Sequence, residues 1–334
     1  LREAVAAAAD GGTVRVTNGA YTIASVPPVV LAKGVTVRSM TGPTNTLFRG
    51  GRRFEVLHSN AVVEGITLTL SGGILLTAGR VAECIITNNA NNRNISVRPA
   101  YGNYGVTDGG GVYMSGGILE RSVIASNIAY NTANGGDRGG GIYLSGGAVS
   151  NCLVIGNYAY THTGYSGTSQ GGGVYISGSS RLIHCTIARN RISRALGAAT
   201  YGAGVYRLGT NNVIRNCIIW ENLGTNEIED IVFSVSELGV DHSCSSALAH
   251  DPDGSGNITN DPMFEKSGDL YGTSHTGGVF RLKVLSPCRD RGWTEDAMRT
   301  GVDLDGRPRV AGGLVDMGAY ELPPFQRAIL VRFW

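Results

Sequence analysis

A repeat of 19 to 21 residues in the middle of the chain limits the possible folds more than any other sequence feature. The units are GGGVYMSGGILERSVIASN (109–127), GGGIYLSGGAVSNCLVIGN (139–157), GGGVYISGSSRLIHCTIARN (171–190) and GAGVYRLGTNNVIRNCIIWEN (202–222). A degenerate copy, SGGILLTAGRVAECIITNN, spans 71–89. Each unit consists of short β-favouring runs between Gly, Ser and Asn, which is typical of two or three strands. One unit cannot bury its apolar side alone, so the repeat predicts a parallel β-helix of stacked coils.

Aligning the units places like residues in columns. One column contains Cys84, Ser122, Cys152, Cys185 and Cys217. Two residues later, and therefore on the same face of the strand, come Ile86, Ile124, Val154, Ile187 and Ile219. Five residues after the first column come Asn89, Asn127, Asn157, Asn190 and Asn222. We predict buried thiols without metal, a stacked aliphatic core, and an asparagine ladder whose side-chain amides hydrogen-bond along the axis.

We predict a single domain over residues 1–334, with an N-terminal cap at 1–24, coils at 25–235, and terminal coils with a C-terminal cap at 236–334. Cys244 and Cys288 lie outside the cysteine column and could close a disulfide in a secreted chain. The net charge of +2 gives no electrostatic case for nucleic acid. No apolar run approaches the ~18 residues that span a bilayer, so no transmembrane segment is predicted.

Sequence motifs at both ends suggest a family. The repeats resemble those of bacterial right-handed parallel β-helix proteins, including the GG[AIV] repeats of polymorphic outer-membrane proteins. NITNDPMF (257–264), LSPC (285–288), DLDGRPR (303–309) and VDMGAYE (315–321) look like the end of secreted "choice-of-anchor" β-helix proteins, and LREAVAAAADGGTVRVTNGAYTI resembles their N-terminal helical cap. The resemblance implies an all-β, single-stranded right-handed parallel β-helix that is secreted or on the bacterial cell surface. That class is functionally mixed, so no activity follows from it.

The same C-terminal motifs contain three aspartates, Asp303, Asp305 and Asp316. Calcium binding is one interpretation of these carboxylates. We favour a structural cap in which they pair with Arg307 and Arg309.

The segments between each Asn and the next glycine triplet vary, while the coils do not. These insertions, residues 90–108, 128–138, 158–170 and 191–201, leave at one corner and should form one binding face. Their aromatic residues are Tyr101, Tyr104, Tyr130, Tyr158, Tyr160, Tyr165 and Tyr201. Their charged residues are Arg93, Arg98, Arg138, Arg191, Arg194, Asp108 and Asp137, and His162 is their only histidine.

Directly after the insertions comes a column of tyrosines, Tyr113, Tyr143, Tyr175 and Tyr206. Strand alternation turns these rings outward if their neighbours point inward. We predict that they face solvent and bind an acidic polysaccharide, together with Arg98, Tyr104, Arg191 and Arg194. Tyrosine rings cover the apolar faces of pyranoses, and guanidinium forks match planar anions. Ring stacking that only shields the strands is the alternative.

A polysaccharide lyase is the catalytic form of this prediction. β-Elimination at a uronic acid needs a base near the carbon beside the carboxylate, and a cation on that carboxylate. We predict His162 or Tyr165 as base or acid and Arg138, Arg191 or Arg194 as the neutralising cation, with Arg138 placed in the catalytic set and no cofactor unless Ca²⁺ takes part. A glycosidase is a weaker alternative, because the insertions offer only Asp108 and Asp137 as a carboxylate pair. A non-catalytic adhesin or glycan-binding solenoid and a passive structural solenoid also fit, and we expect a monomer.

Overall fold

The structure is a computed structural model that describes residues 1–23, 27–50, 54–92, 107–131, 136–161, 167–193, 199–251, 255–295, 301–310 and 313–324. Over these residues the chain is an all-β parallel β-helix, which confirms the predicted fold class. Helix Arg2–Ala7 precedes the first coil, and its Val5 packs on the core. Lys33 Nζ donates to the Ala6 and Ala8 carbonyl oxygens at 2.9 and 2.6 Å, and so satisfies groups that the helix end leaves unpaired. In this part of the chain, no helix has the length and apolar character needed to cross a membrane.

Each coil contributes one strand to each of three faces. The first face contains Thr13–Val16, Thr36–Ser39, Val62–Glu64, Arg80–Ala82, Ser180–Ile183, Val213–Arg215 and Val240–Asp241. The second face contains Gly19–Thr22, Thr46–Arg49, Thr67–Thr69, Ile85–Thr87, Val123–Ala125, Leu153–Ile155, Thr186–Ala188 and Ile218–Trp220. The third face contains Val29–Leu31, Phe54–Val56, Ile74–Leu76, Val174–Ile176, Val205–Arg207 and Ile231–Phe233. Two long strands, Val112–Glu120 and Ile142–Ser150, run from the third face into the first.

A two-layered projection, here called the wing, stands at the corner between the second and third faces. Its outgoing strands are Ala90–Asn92, Ile128–Asn131, Tyr158–Thr161 and Arg191–Ser193. Its returning strands are Thr107–Asp108, Asp137–Arg138, Thr168–Gln170 and Ala199–Tyr201. Each layer is a four-stranded parallel sheet, so the four variable insertions do accumulate on one side. After the coils, Phe264–Lys266 and Val279–Leu282 form an antiparallel pair, and a 3₁₀ turn at Gly272–Ser274 lies between them.

The core confirms the predicted register of the coils. Neighbouring strands of the second face align one column of fully buried side chains, Ile86, Ile124, Val154, Ile187 and Ile219. The matching inward column of the first face is Val37, Val63, Val81, Leu119, Val149, Leu182 and Ile214. A coil therefore buries its apolar residues only by contact with the coils on either side of it.

The cysteine column is buried, as predicted, and its members are free thiols. Each thiol lies near the carbonyl oxygen two residues back, for example at 3.2 Å for Cys152 and Ser150. Ser122 occupies this position in one coil, and its hydroxyl donates to the Glu120 carbonyl at 2.8 Å. The substitution is tolerated because both side chains are small and can donate to the same backbone oxygen. Burial raises the pKa of the Cys84 thiol to about 12.

The asparagine column is continuous and fully buried. Side-chain Nδ2 groups donate to the next Oδ1 along the axis, for Asn89 to Asn127, Asn127 to Asn157, Asn157 to Asn190 and Asn190 to Asn222, at 2.9–3.0 Å. Each Oδ1 also accepts a backbone N–H, such as that of Asn157 onto Asn190 at 2.9 Å. Asp230 follows Asn222, and its Oδ1 accepts the last side-chain N–H of the column at 3.0 Å. The column satisfies buried backbone donors at the corner from which the wing departs.

The glycine triplets mark a close approach of backbones between coils. A Cβ on Gly140 would collide with the Gly172 carbonyl oxygen and would lie 2.5 Å from the Tyr158 carbonyl carbon. A Cβ on Gly141 would lie 2.8 Å from the Gly173 carbonyl oxygen. Side chains are therefore excluded where the returning strand of the wing enters the third face.

The C-terminal segment folds back over the second face. The Gly318 N–H donates to the Asn216 carbonyl at 2.8 Å, and the Ala319 N–H donates to Thr186 Oγ1 at 3.0 Å. Cys244 and Cys288 are both fully buried in the apolar cluster beneath this segment. They are free thiols that hydrogen-bond to each other, and this contact and their burial raise the pKa of Cys244. The disulfide that the sequence left open is not formed in this structure.

The C-terminal aspartates contact Arg307 and Arg309 through backbone groups and not through the predicted side-chain pairs: Arg309 Nη2 donates to the Asp316 carbonyl at 2.9 Å. Asp303 and Asp316 are buried and accept backbone N–H groups, such as those of Arg307 at 2.7 Å and Leu322 at 2.8 Å respectively. The buried Arg309 instead contacts Glu321 at 3.2 Å, and it also hydrogen-bonds to His184. Asp305, the third aspartate, accepts two hydrogen bonds from the Arg281 guanidinium, both at 2.7 Å. The buried carboxylates accept backbone N–H groups of a tight turn. Residue spacing in the sequence does not predict these contacts.

Candidate functional site

The wing has a packed interior between its two layers. Ala159 and Ile192 of the outgoing strands are fully buried and form a small apolar cluster. Beside them, Thr161 Oγ1 donates to Asp137 Oδ2 at 2.8 Å and lies 2.8 Å from Ser169 Oγ. The wing is therefore a packed element whose interior contains both apolar contacts and side-chain hydrogen bonds.

That interior contains one of the two carboxylates of the glycosidase alternative. Asp137 is fully buried and hydrogen-bonded to Thr161. Asp108, the other carboxylate, is forked by Arg138, with Nε–Oδ1 at 2.8 Å and Nη2–Oδ2 at 2.7 Å. The two carboxylates do not face a common solvent-filled space in this arrangement, which weakens the glycosidase alternative further.

The tyrosine column lies on the outer side of the third face. Strand pairing places Tyr113, Tyr143, Tyr175 and Tyr206 in direct register, and their flanking residues Val112 and Met114 are in the core. Successive ring centroids lie 4.9, 5.0 and 5.6 Å apart, and the rings are stacked. The column thus exists as predicted, as a stack of aromatic rings pointing away from the core.

The predicted solvent exposure of this column is wrong for half of its members. Tyr175 is 3% exposed and Tyr206 is 9% exposed, while Tyr113 and Tyr143 are partly buried. The cause is the wing, because the Arg138 guanidinium covers the rings of Tyr143 and Tyr175 at 5.1 and 5.2 Å from their centroids, and the Tyr201 ring lies 6.0 Å from that of Tyr206. Burial raises the pKa of Tyr143 to about 12. The rings support the returning strands of the wing, as in the shielding alternative.

Arg138 is therefore already engaged on two sides. Burial alone would lower its pKa, but the hydrogen bonds and charge of Asp108 outweigh burial, and the pKa is raised. Its guanidinium makes cation–π contacts with two tyrosines and a bidentate bond with Asp108. Because Asp108 already balances this charge, a substrate carboxylate would gain little from Arg138.

The opposite side of the wing carries a second aromatic surface, here called the tyrosine platform and formed by Tyr130, Tyr158, Tyr160 and Arg191. The Tyr130 and Tyr160 rings stack at 5.4 Å, and the Tyr158 and Tyr160 rings at 5.5 Å. Strand pairing places Tyr158 opposite Ile128 and Arg191, and Tyr160 opposite Tyr130 and Ser193. The Tyr158 hydroxyl hydrogen-bonds to Ser193 Oγ, which fixes the ring.

Arg191 differs from Arg138 in having an uncommitted charge. It is exposed, its guanidinium lies 5.6 Å from the Tyr158 ring centroid, and no carboxylate of the described residues lies within 4 Å of it. Its neighbour Arg189 is paired with Glu221 at 2.9 Å and stacks on Tyr271 at 4.8 Å. The platform thus combines three partly exposed tyrosine rings, a guanidinium with no carboxylate partner among the described residues, and a flanking tyrosine from the C-terminal region.

The sequence indicates these residues as candidates, but it does not predict that they form one surface. A signal is available, because Tyr158 and Tyr160 are two residues apart and Tyr130 occupies the position of Tyr160 in the preceding insertion. That spacing is typical of one face of a strand. If the insertions are taken as loops, this alternation is missed, because residues two apart lie on the same face only in a strand.

Several predicted site residues lie outside the described residues, namely His162, Tyr165, Arg98, Tyr104 and Arg194. Their roles stay predictions. Among the residues that the structure describes, no group of three or more His, Cys, Asp or Glu side chains is placed to hold a metal ion.

The comparisons with known proteins reach only remote structural similarities. No protein-family model and no curated protein matches the sequence. The fold is similar to the crystal structure of pectate lyase Pel9A, with a TM-score of 0.38 and 12% identity over 96% of this chain and 90% of that one. It is also similar to a PL6 alginate lyase in complex with a trisaccharide, with a TM-score of 0.30 and 15% identity over 81% of this chain and 59% of that one. For the PL6 family alginate lyase AlyGC the TM-score is 0.25 and the identity 9%, over 85% and 54% of the two chains.

Proposed function

We propose that this protein binds an acidic polysaccharide along the tyrosine platform of its wing. The observation that carries the proposal is Arg191, an exposed guanidinium beside stacked tyrosine rings and out of reach of every carboxylate in the described residues. A tyrosine ring can cover the apolar side of a pyranose, and a planar guanidinium can fork a uronate carboxylate or a sulfate. The platform crosses several coils, so a polymer lying along the axis would meet successive rings.

Other surfaces of the coils are less suited to an anionic polymer. On and beside the first face, three arginines in the N-terminal half pair with glutamates of neighbouring coils. These pairs are Arg38–Glu64 at 3.0 Å, Arg80–Glu120 at 2.7 Å and Arg121–Glu83 at 3.2 Å. A polymer carboxylate gains little from an arginine whose charge is already balanced.

Binding tests this proposal directly. Arg191→Ala should weaken retention in a gel containing polygalacturonate or alginate by about 10-fold or more, since a charge-assisted hydrogen bond contributes roughly 1.5–3 kcal/mol. Tyr160→Ala should weaken it as well, through the loss of ring contact. Arg181→Ala is the matched control, because Arg181 is an exposed arginine on the first face. Equal retention of the Arg191 and Arg181 variants would contradict the proposal, and so would equal retention on neutral dextran.

A lyase activity is the catalytic form of the same proposal. In sequence, His162 and Tyr165 come directly after the platform strand Tyr158–Thr161. His162→Ala or Tyr165→Phe should lower turnover by about 10²–10⁴-fold and leave polymer affinity within a few-fold, because acid–base groups act mainly on the transition state. The measurement is ultraviolet absorbance of unsaturated uronate ends, with and without Ca²⁺. Binding by the parent protein without such product would favour an adhesin or glycan-binding solenoid.

The proposal also implies a location and an oligomeric state. Acidic polysaccharides are polymers of cell walls and extracellular matrices, so the protein should act outside the cell, secreted or on the cell surface. One chain carries a complete platform, so a monomer suffices for binding.

A further inference from the structure

A cavity lies where the last coils meet the C-terminal segment, at the corner between the first and second faces. Its volume is about 310 Å³, and its lining includes His242, Asp290, Arg291, Trp293, Thr294 and Leu314. The wing stands at a different corner of the coils, and none of the platform residues lines this cavity. Ligand cavities commonly span about 300–1,000 Å³, so this one suits a single ring better than a chain.

The backbone of Trp293 is held in place, and its side chain is 49% exposed. Its backbone N–H donates to Asn216 Oδ1 at 2.7 Å, and its carbonyl accepts from Asn216 Nδ2 at 2.8 Å. Asn216 is fully buried in a corner of the coils, where its φ is 54°. A buried amide thus fixes the backbone that presents a solvent-facing tryptophan to the cavity.

The ring of His242 forms the wall beside the indole. The two ring centroids lie 5.3 Å apart with an interplanar angle of 57°. His242 Nδ1 lies 3.3 Å from Asp241 Oδ1, and Arg215 forks Asp241 at 2.5 and 3.1 Å. On the other side, a Cβ on Gly256 would lie 2.6 Å from the His242 ring, so only glycine leaves room for it. The aromatic wall is therefore oriented before any ligand arrives.

The polar groups of the cavity are of both signs. Arg291 is exposed, and within the described part of the chain no carboxylate lies within 4 Å of its guanidinium. The Asp290 side chain is 46% exposed and touches Arg289 at 3.4 Å. Thr294 Oγ1 accepts the Val315 N–H at 3.2 Å, and a hydroxyl can also donate one hydrogen bond to a ligand. A flat apolar surface, a free cation, an acceptor and a hydroxyl donor fit a sugar ring that carries a carboxylate.

We propose that this cavity binds one hexuronate unit, with the apolar face of its ring on Trp293 and its carboxylate on Arg291. The remaining hydroxyls reach Asp290 and Thr294. A ligand of this size held by one indole and one guanidinium should bind weakly, with a Kd on the order of 1 mM. The site is separate from the platform and does not depend on it.

Calorimetric titration of the full chain with D-galacturonate and D-glucuronate tests this site. We expect saturable binding of at least one of them, and binding of the matching neutral hexose that is at least about 10-fold weaker. Trp293→Ala and Arg291→Ala should each weaken hexuronate binding by about 10-fold or more. Arg291 is on the surface, so this variant should keep the parent's melting temperature even if the tryptophan variant does not.

The platform variant separates this site from the proposed function. Arg191→Ala should bind the monosaccharide like the parent, and Arg291→Ala should be retained by polymer like the parent. The cavity proposal is overturned if the parent shows no saturable hexuronate binding, if neutral hexoses bind equally well, or if Arg291→Ala binds unchanged. Loss of monosaccharide binding in Arg191→Ala would also overturn it, because the ligand would then occupy the wing.

Discussion

Asp230 shows how one residue closes a repeating element. The asparagine column needs an acceptor after Asn222, and Asp230 Oδ1 accepts both the side-chain and the backbone N–H of that residue at 3.0 and 2.9 Å. Ser246 donates to its other oxygen at 3.0 Å. Burial nevertheless raises the pKa of Asp230 from its ordinary 3.8 to about 6. Asp230, at the end of the column, is therefore the residue of the column that can titrate.

The sign of the resulting pH dependence follows from that shift. The folded protein binds the Asp230 proton more tightly than the unfolded chain, so the associated stability is present at pH 4 and is lost as the pH rises to about 6. A shift of about two pH units corresponds to roughly 3 kcal/mol. Asp230→Asn keeps an Oδ1 acceptor and removes the titration.

Urea unfolding of both proteins from pH 4 to pH 8 measures this effect. The Asp230→Asn variant should gain stability relative to the parent as the pH rises from about 4 to 6, and the difference should then stay constant. Parallel pH profiles of the two proteins would show that Asp230 does not titrate in this range.

At the scale of elements, the coils are predictable from the sequence and the wing is not. The column that contains Ile124 and Ile187 has a member in each successive repeat, so the register of the coils can be predicted by aligning the repeats. The wing strands differ in sequence and in the length of their insertions, and period-two alternation in Tyr158–Thr161 is only four residues long. The burial of Tyr175 depends on where Arg138 lies, and no local pattern encodes that contact. Contacts such as Arg309 to His184 join residues 125 positions apart.

The glycine triplets give an element-scale prediction. Gly140→Ala should destabilise the coils by about 3 kcal/mol or more, because its Cβ would collide with the backbone of the next coil. Gly209→Ala is the matched control, since Gly209 has a φ of +75° but a Cβ added there would have no atom within 4 Å. Strain alone should cost this control about 1–2 kcal/mol.

Thermal unfolding distinguishes the two glycine variants. The melting temperature of Gly140→Ala should fall clearly below that of Gly209→Ala. Equal melting temperatures, or a smaller effect at Gly140, would mean that the coils can separate at the triplets without loss of packing.

At the scale of the whole molecule, the coils act as a rigid support for chemistry at their corners. One corner carries the wing, which packs on the tyrosine column of the third face and exposes the rings of the tyrosine platform and the charge of Arg191. Another corner carries the cavity of Trp293. The sequence is sufficient to predict that the four insertions gather on one side of the coils. It is not sufficient to identify which side of the wing is open, since that depends on how its two layers pack.

A crystal structure of the protein with a uronate hexasaccharide tests the central claim most directly. The account predicts sugar rings along Tyr130, Tyr158 and Tyr160, with at least one carboxylate within hydrogen-bond distance of the Arg191 guanidinium. Contacts confined to the first face, or to the column of Tyr143 and Tyr175 with Arg138 displaced from Asp108, would contradict it.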